Sequence, residues 1–273
     1  MPTFVDKEQA VGRLRAEYGA LASLCSALSE AQWDVPTCLP GWTVRDVLSH
    51  VIGAESMLAG DPPPQVDVSH LRHMRNPVAE SNELWVESMR SRTGPEMIDR
   101  FNQVIARRLE ALDALTQADF DAPSWTPAGH NETYGRFMRI RHYDCFMHEH
   151  DIRYAVGAPA RPDPDDLRTV LDEVSTGLGY IVGRRAALPD GSRVRIDLTG
   201  PLTAAYLVAV DGRATVVESL DQPPTVGLEL SAMLFLRLTG GRADGGSGPD
   251  GGVAYSGDRR LGEQLVAHLA FTI

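Results

Sequence analysis

Lysine is all but missing from this chain: Lys7 is the only one in 273 residues. Every other strongly basic side chain is arginine, in a sequence rich in alanine, glycine and aspartate, as GC-rich genomes encode. The glycine-rich run GGRADGGSGPDGG at 240–252 therefore has no P-loop lysine. Its glycines do not fall at dinucleotide-binding spacing either, so it reads as a mobile loop and not a phosphate cradle. Positive charge as a whole is short. A net charge of −11 with no basic stripe argues against nucleic acid and anionic membrane surfaces as partners. Cysteine is scarce: Cys25, Cys38 and Cys145 are an odd number with no CxxC pair, which predicts reduced thiols and a cytoplasmic protein. No stretch approaches the ~18 apolar residues of a membrane span, and MPTFVDKEQAVGRL has no apolar signal core.

What is present suits a globular protein, with 43% hydrophobic and 23% charged residues. Apolar residues recur at helical spacing over roughly 6–30 (Val11, Leu14, Tyr18, Leu21, Cys25, Leu28). After the break DVPTCLPGW, Thr43 and Asp46 form the T-x-x-D pattern of a capping box, predicting a helix from Thr43 to about Gly60. Residues 78–116 read as helix interrupted near Thr93-Gly94-Pro95. A polar loop, QADFDAPSWTPAGHN, then leads to a fourth long helix over about 132–156. These four helices, with no convincing strand among them, predict a helical bundle over 1–160. The proline-rich GAPARPDPDD reads as a linker. Residues 161–273 predict an α+β domain: a helix over about 164–187, apolar runs RVRIDL, TAAYLVAV, RATVVES and TVGLEL forming a mostly antiparallel sheet, and helices at 231–239 and 258–269. Asp211-Gly212 in VDGR marks a hairpin. The expected fold class is therefore two-domain α+β.

On a helical wheel Phe137, Arg141, Asp144, His148, Asp151 and Ile152 share the inward face of the fourth helix. Asp144 and His148 lie one turn apart, so their side chains stack. A carboxylate and an imidazole pointing into a bundle cost free energy unless they pair or bind a metal. The spacing alone is weak: with 8 histidines and 37 acids, about one acid falls four residues before a histidine by chance on a shared helix face. Asp46…His50 is a second instance, and Asp46 already has a capping role. Asp151 is placed to hold His148 from behind. His142, Glu149 and His150 project to the opposite side and read as solvated, and Cys145 as a packed thiol. His50 sits at the edge of its helix's apolar face, either a third ligand lining a groove or a half-exposed bystander. Glu55, near the middle of that face, pairs with an arginine, caps a neighbouring turn or faces the site. Arg141 meets either a substrate carboxylate or Asp144 or Glu55.

LPGWTVRDVLSHVIGAE, followed by acid-x3-His-x2-Asp on a later helix and then AVG, resembles the mycothiol-dependent maleylpyruvate isomerase family. That family belongs to the DinB-like four-helix-bundle superfamily of metal-binding proteins. RLTGGR and SGDRRLGEQLV are similar, more loosely, to the sterol-carrier-like α+β domain that often follows in it. The resemblance implies a divalent metal, usually zinc, held by His50, Asp144 and His148, with aspartate where the characterised isomerase has glutamate. It also implies mycothiol as thiol cosubstrate and a small electrophile such as maleylpyruvate as its partner.

Two imidazoles and one carboxylate leave a ligand position open, the pattern of catalytic zinc, although non-haem iron(II) also accepts this set. A thiol arriving there would be deprotonated and become nucleophilic. Isomerase and S-transferase outcomes share that first step, and no other catalytic residue is assigned. Arg237 and Arg242 are further candidates for substrate contact. The rival expectations are a non-catalytic metal-containing protein that binds a small apolar ligand, and a purely structural bundle without metal.

Overall fold

The computed structural model describes residues 2–71, 77–245 and 250–271. Residues 246–249 of the glycine-rich run, expected to be mobile, lie outside the described residues. The chain divides into two compact units, Met1–Arg161 and Pro162–Ile273.

The first unit is built from helices whose starts are written in their caps. α1 (Lys7–Ser26) begins where Asp6 accepts a hydrogen bond from the Gln9 backbone N–H. A short α2 (Glu30–Trp33) follows. α3 (Val44–Leu58) starts at the Thr43/Asp46 capping box, with Asp46 Oδ2 accepting from the Thr43 N–H at 2.9 Å. The segment expected as one interrupted helix is two: α4 (Pro77–Met89) and α5 (Gly94–Ala114), the second capped by Thr93 and Glu96. α7 (Tyr134–Val156) ends at Gly157, whose φ of +70° is the left-handed conformation that closes a helix. Between α5 and α7 lie α6 (Gln117–Asp121) and a hairpin of β1 (Pro123–Thr126) and β2 (Gly129–Thr133). That hairpin corrects the expectation of a strand-free polar loop. Its strands are short and mostly polar, so no apolar alternation announces them.

The long helices α1, α3, α5 and α7 make the bundle. α1 packs on α5 and α7, and α3 packs on α4, α5 and α7. Leu14, Leu21, Leu48, Ile52, Phe101, Leu112 and Phe120 are buried together at their centre.

The second unit is α+β with a mostly antiparallel sheet, as expected. After α8 (Pro164–Ser175), α9 (Leu178–Tyr180) and a π-helical turn at Ile181–Arg185 replace the rest of the helix expected to reach 187. Gly179 and Gly183 let this turn lie on the next sheet: a Cβ at either would come within 2.9 Å and 2.8 Å of Ala214. The sheet is β3 (Arg193–Thr199), β4 (Ala204–Asp211), β5 (Arg213–Val217), β6 (Val226–Ser231) and, not anticipated, β7 (Ala254–Gly257). Its order is β5-β4-β3-β6-β7. Only β3 and β6 run parallel, pairing Val194 with Val226, Ile196 with Leu228 and Leu198 with Leu230. The Asp-Gly turn joins β4 and β5, with Gly212 at φ +67°. α10 (Ala232–Thr239) and α11 (Arg259–Ala267) complete the unit. Among the described residues no helix is long and apolar enough to cross a membrane.

Candidate metal centre

α3 and α7 cross so that three side chains meet. His50 Nε2 lies 3.3 Å from Asp144 Oδ2, and His148 Nε2 lies 3.5 Å from Asp144 Oδ1. One donor atom from each of the three falls within 4.8 Å of the others. A tetrahedral ion with ~2.1 Å bonds separates its ligand atoms by about 3.4 Å, so the contact of His148 with Oδ1 has the spacing of two ligands sharing an ion. The donor set fits a divalent metal on this geometry.

The surroundings separate the two histidines. Behind His148, Nδ1 donates to Asp151 Oδ2 at 3.0 Å, the carboxylate–histidine arrangement that turns Nε2 toward a site. Cys38 in turn donates its thiol to Asp151 Oδ1 at 3.3 Å. His50 Nδ1 is buried and has no hydrogen-bond partner among the described residues. Burial lowers the pKa of His50, and with His148 and Arg141 it outweighs the raising effect of Asp144. For His148 burial also acts downward, but Asp144 and Asp151 together outweigh it and raise the imidazole above its ordinary value. Burial pushes the Asp144 carboxyl up, yet His148, Arg141 and His50 overcome this and hold it well below the usual carboxylate range.

Arg141 is buried and its N–H groups are directed at neighbours. Nε donates to Glu55 Oε1 at 3.0 Å, Nη1 to Asp144 Oδ2 at 2.7 Å, and Nη2 to Cys145 Sγ at 3.7 Å. Glu55, fully buried, also accepts from Arg108 Nε at 3.0 Å. Of the alternatives open in the sequence, Glu55 thus pairs with arginine, and with two of them. Arg237 donates to Asp250 and to the Arg242 carbonyl, and Arg242 to the Gly240 carbonyl, all within the second unit.

The expectation that His142, Glu149 and His150 are solvated is corrected, since all three are buried. α7 has neighbours on more than one side, and α1 covers the face opposite the site. The chain after Gly157 also folds back on that face. Arg161 bonds Glu149 and Glu17 of α1, and the Arg161 N–H donates to His150 Nε2 at 3.3 Å. Cys145 is buried, as read.

Two residues of the site were missed. Trp42 lies with its ring centroid 5.3 Å from that of His50 and 6.2 Å from that of His148. Its Nε1 donates to buried Glu83, which Arg90 bridges to Asp46. The loop carrying Trp42 and Cys38 is closed by a bridge between Pro36 and Thr43 and by Thr37 N–H donating to the Trp42 carbonyl at 2.9 Å. The signal was LPGW itself, a rigid turn immediately before a capped helix.

A helical bundle with two histidines and an aspartate facing one another, followed by an α+β unit, defines the class of protein. The model of the mycothiol maleylpyruvate isomerase N-terminal domain matches residues 14–153, and the chain belongs to that family. Its fold is similar to two solved structures, those of a mycothiol-dependent maleylpyruvate isomerase (TM-score 0.61) and of a mutant of it with one histidine changed to alanine (TM-score 0.60). Each is 17% identical, over 94% of this chain and 96% of that one, which is a likeness of fold. No curated protein matches the chain in sequence.

Proposed function

We propose that this protein is a divalent-metal enzyme that uses a small thiol of the mycothiol type to isomerise, or to form a thioether with, a small electrophile such as maleylpyruvate. The observation that carries the reading is that one donor atom from each of His50, Asp144 and His148 lies within 4.8 Å of the others. These three residues would hold the ion, with zinc first and iron(II) second among metals suited to two imidazoles and one carboxylate. Bound there with a position open, the ion would lower the pKa of an arriving thiol and supply a nucleophile at neutral pH.

The protein's own residues prepare that position. Asp151 fixes the His148 ring by accepting its Nδ1 proton. His50, lowered by burial, stays neutral and keeps a lone pair for the site. Arg141 keeps Asp144 ionised. The half-buried Trp42 ring flanks both imidazoles and limits the water that reaches them. In isomerisation the thiol sulfur adds to a cis C=C bond, the resulting single bond rotates, and loss of the same sulfur restores the double bond as trans. Thiol is regenerated. If the sulfur stays, the product is an S-conjugate. Cys25, Cys38 and Cys145 are not disulfide-bonded, which suits the reducing cytoplasm in which we place the protein.

Elemental analysis of the purified full-length chain is expected to find one divalent ion, lost in His50→Ala and His148→Ala. The metal-loaded protein, incubated with mycothiol and maleylpyruvate, is expected to yield the trans isomer or a thioether. Absence of metal, with no thermal stabilisation on adding zinc, overturns the site. Metal without isomer or thioether overturns catalysis in favour of a non-catalytic metal-containing protein.

A further inference from the structure

A carboxylate can give a metal ion one oxygen or both. Beside two imidazoles the difference decides the chemistry, because both oxygens would complete four ligands and close the site, whereas one leaves a position for substrate. Asp144 is not free to choose. Its Oδ2 accepts the short charge-assisted bond from Arg141 Nη1 at 2.7 Å. Arg141 is itself fixed from behind through Nε on Glu55. Glu55 cannot follow a movement of Arg141 without leaving Arg108, whose Nε it also holds at 3.0 Å.

Three helices thus converge on one carboxylate oxygen: α3 through Glu55, α5 through Arg108 and α7 through Arg141. The two arginines balance Glu55 and Asp144, so this buried group is neutral before any ion arrives. A substrate-binding role for Arg141 is the weaker alternative, since its N–H groups are directed at Glu55, Asp144 and Cys145.

We infer that Arg141, anchored by Glu55, is a positioning residue that occupies Oδ2 of Asp144 and so restricts it to a single metal-binding oxygen, Oδ1, keeping the fourth position open. The inference rests on the reading of His50, Asp144 and His148 as metal ligands.

Cobalt(II) tests both and separates them. Its visible absorption is intense in four-coordinate sites and weak in five- or six-coordinate ones, and a small anion such as azide shifts the bands only where it can bind the ion. Metal-stripped full-length protein loaded with cobalt(II) is expected to show intense bands that azide shifts. Arg141→Met frees Oδ2 to complete four protein ligands, and its cobalt(II) form is expected to keep intense bands but to lose most of the azide response. Should Arg141→Met fail to fold by circular dichroism, Arg141→Lys replaces it: one ammonium cannot reproduce the fork to Glu55 and Asp144, and the azide response is again expected to fall. A wild-type azide shift in the folded variant overturns the positioning role while leaving the metal site standing. No cobalt(II) bands in the wild-type protein overturn the metal site itself.

Discussion

Among the described residues the first unit buries many more charged side chains than the second, where Asp166, Glu173 and Arg193 are the buried ones. In the first, Glu17, Glu55, Arg108, Arg141, Glu149 and Asp151 are all withdrawn from solvent among the leucines and phenylalanines of the bundle. In the second, the sheet turns Val194, Ile196, Leu198, Val208, Leu228 and Leu230 inward, with Phe235 and Leu265 from its helices. An aliphatic interior is held by area and shape and tolerates small rearrangements. A charged interior is stable only with each charge facing its partner, so it fixes side-chain positions more narrowly. The candidate metal ligands lie in the charged kind, where Glu55, Arg141 and Asp151 each hold something at a defined distance.

The contrast can be broken most directly at Glu55. Glu55→Ala leaves Arg108 and Arg141 buried without their shared partner and is expected to cost about 4 kcal/mol. Leu228→Ala in the second unit creates a cavity and is expected to cost about 3 kcal/mol. Trp33, Trp42, Trp85 and Trp125 all lie in the first unit, so during urea denaturation tryptophan emission reads the Glu55→Ala loss and circular dichroism of the whole chain reads that of Leu228→Ala. A Glu55→Ala loss below that of Leu228→Ala would remove the distinction.

Glu149 sharpens the comparison through pH. Burial pushes its carboxyl up, but Arg161, His150 and Arg153 outweigh this and lower it. A carboxyl lowered on folding adds stability above its unfolded pKa of about 4.3 and loses it as pH falls through the folded value. Glu149→Gln is therefore expected to cost about 3 kcal/mol at pH 7 by urea denaturation. The gap to wild type is expected to narrow below about pH 4.3. A gap that stays constant down to pH 3 would mean that the charge of Glu149 contributes nothing. The smallest effect is expected at Thr43, where alanine removes the α3 cap at a cost of about 1 kcal/mol, read from the same emission transition.

Much of the bundle was legible because caps and periodicity are local. Thr43 and Asp46 mark the start of α3, and Asp144, His148 and Asp151 take one side of α7 from their spacing alone. What was not legible depends on what stands opposite. A helical wheel gives the direction of Glu149 and His150 but not that α1 and Arg161 cover them. It leaves Glu55 with three roles until Arg108 and Arg141 arrive from α5 and α7. Trp42 and Cys38 belong to no periodic element, so only the closed loop reveals where they lie. The π-helical turn after α9 packs on Ala214, where Gly179 and Gly183 leave room for it, a tertiary fact that a helical pattern does not carry.

The closed loop between Pro36 and Thr43 also makes the molecule easy to label. Burial pushes the Cys25 thiol up to about 12 and that of Cys145 well above its usual range, whereas Cys38 is exposed. A maleimide dye added to the folded protein should therefore attach at one place, beside the carboxylate that steadies His148, giving an optical reporter of that neighbourhood without any engineered cysteine.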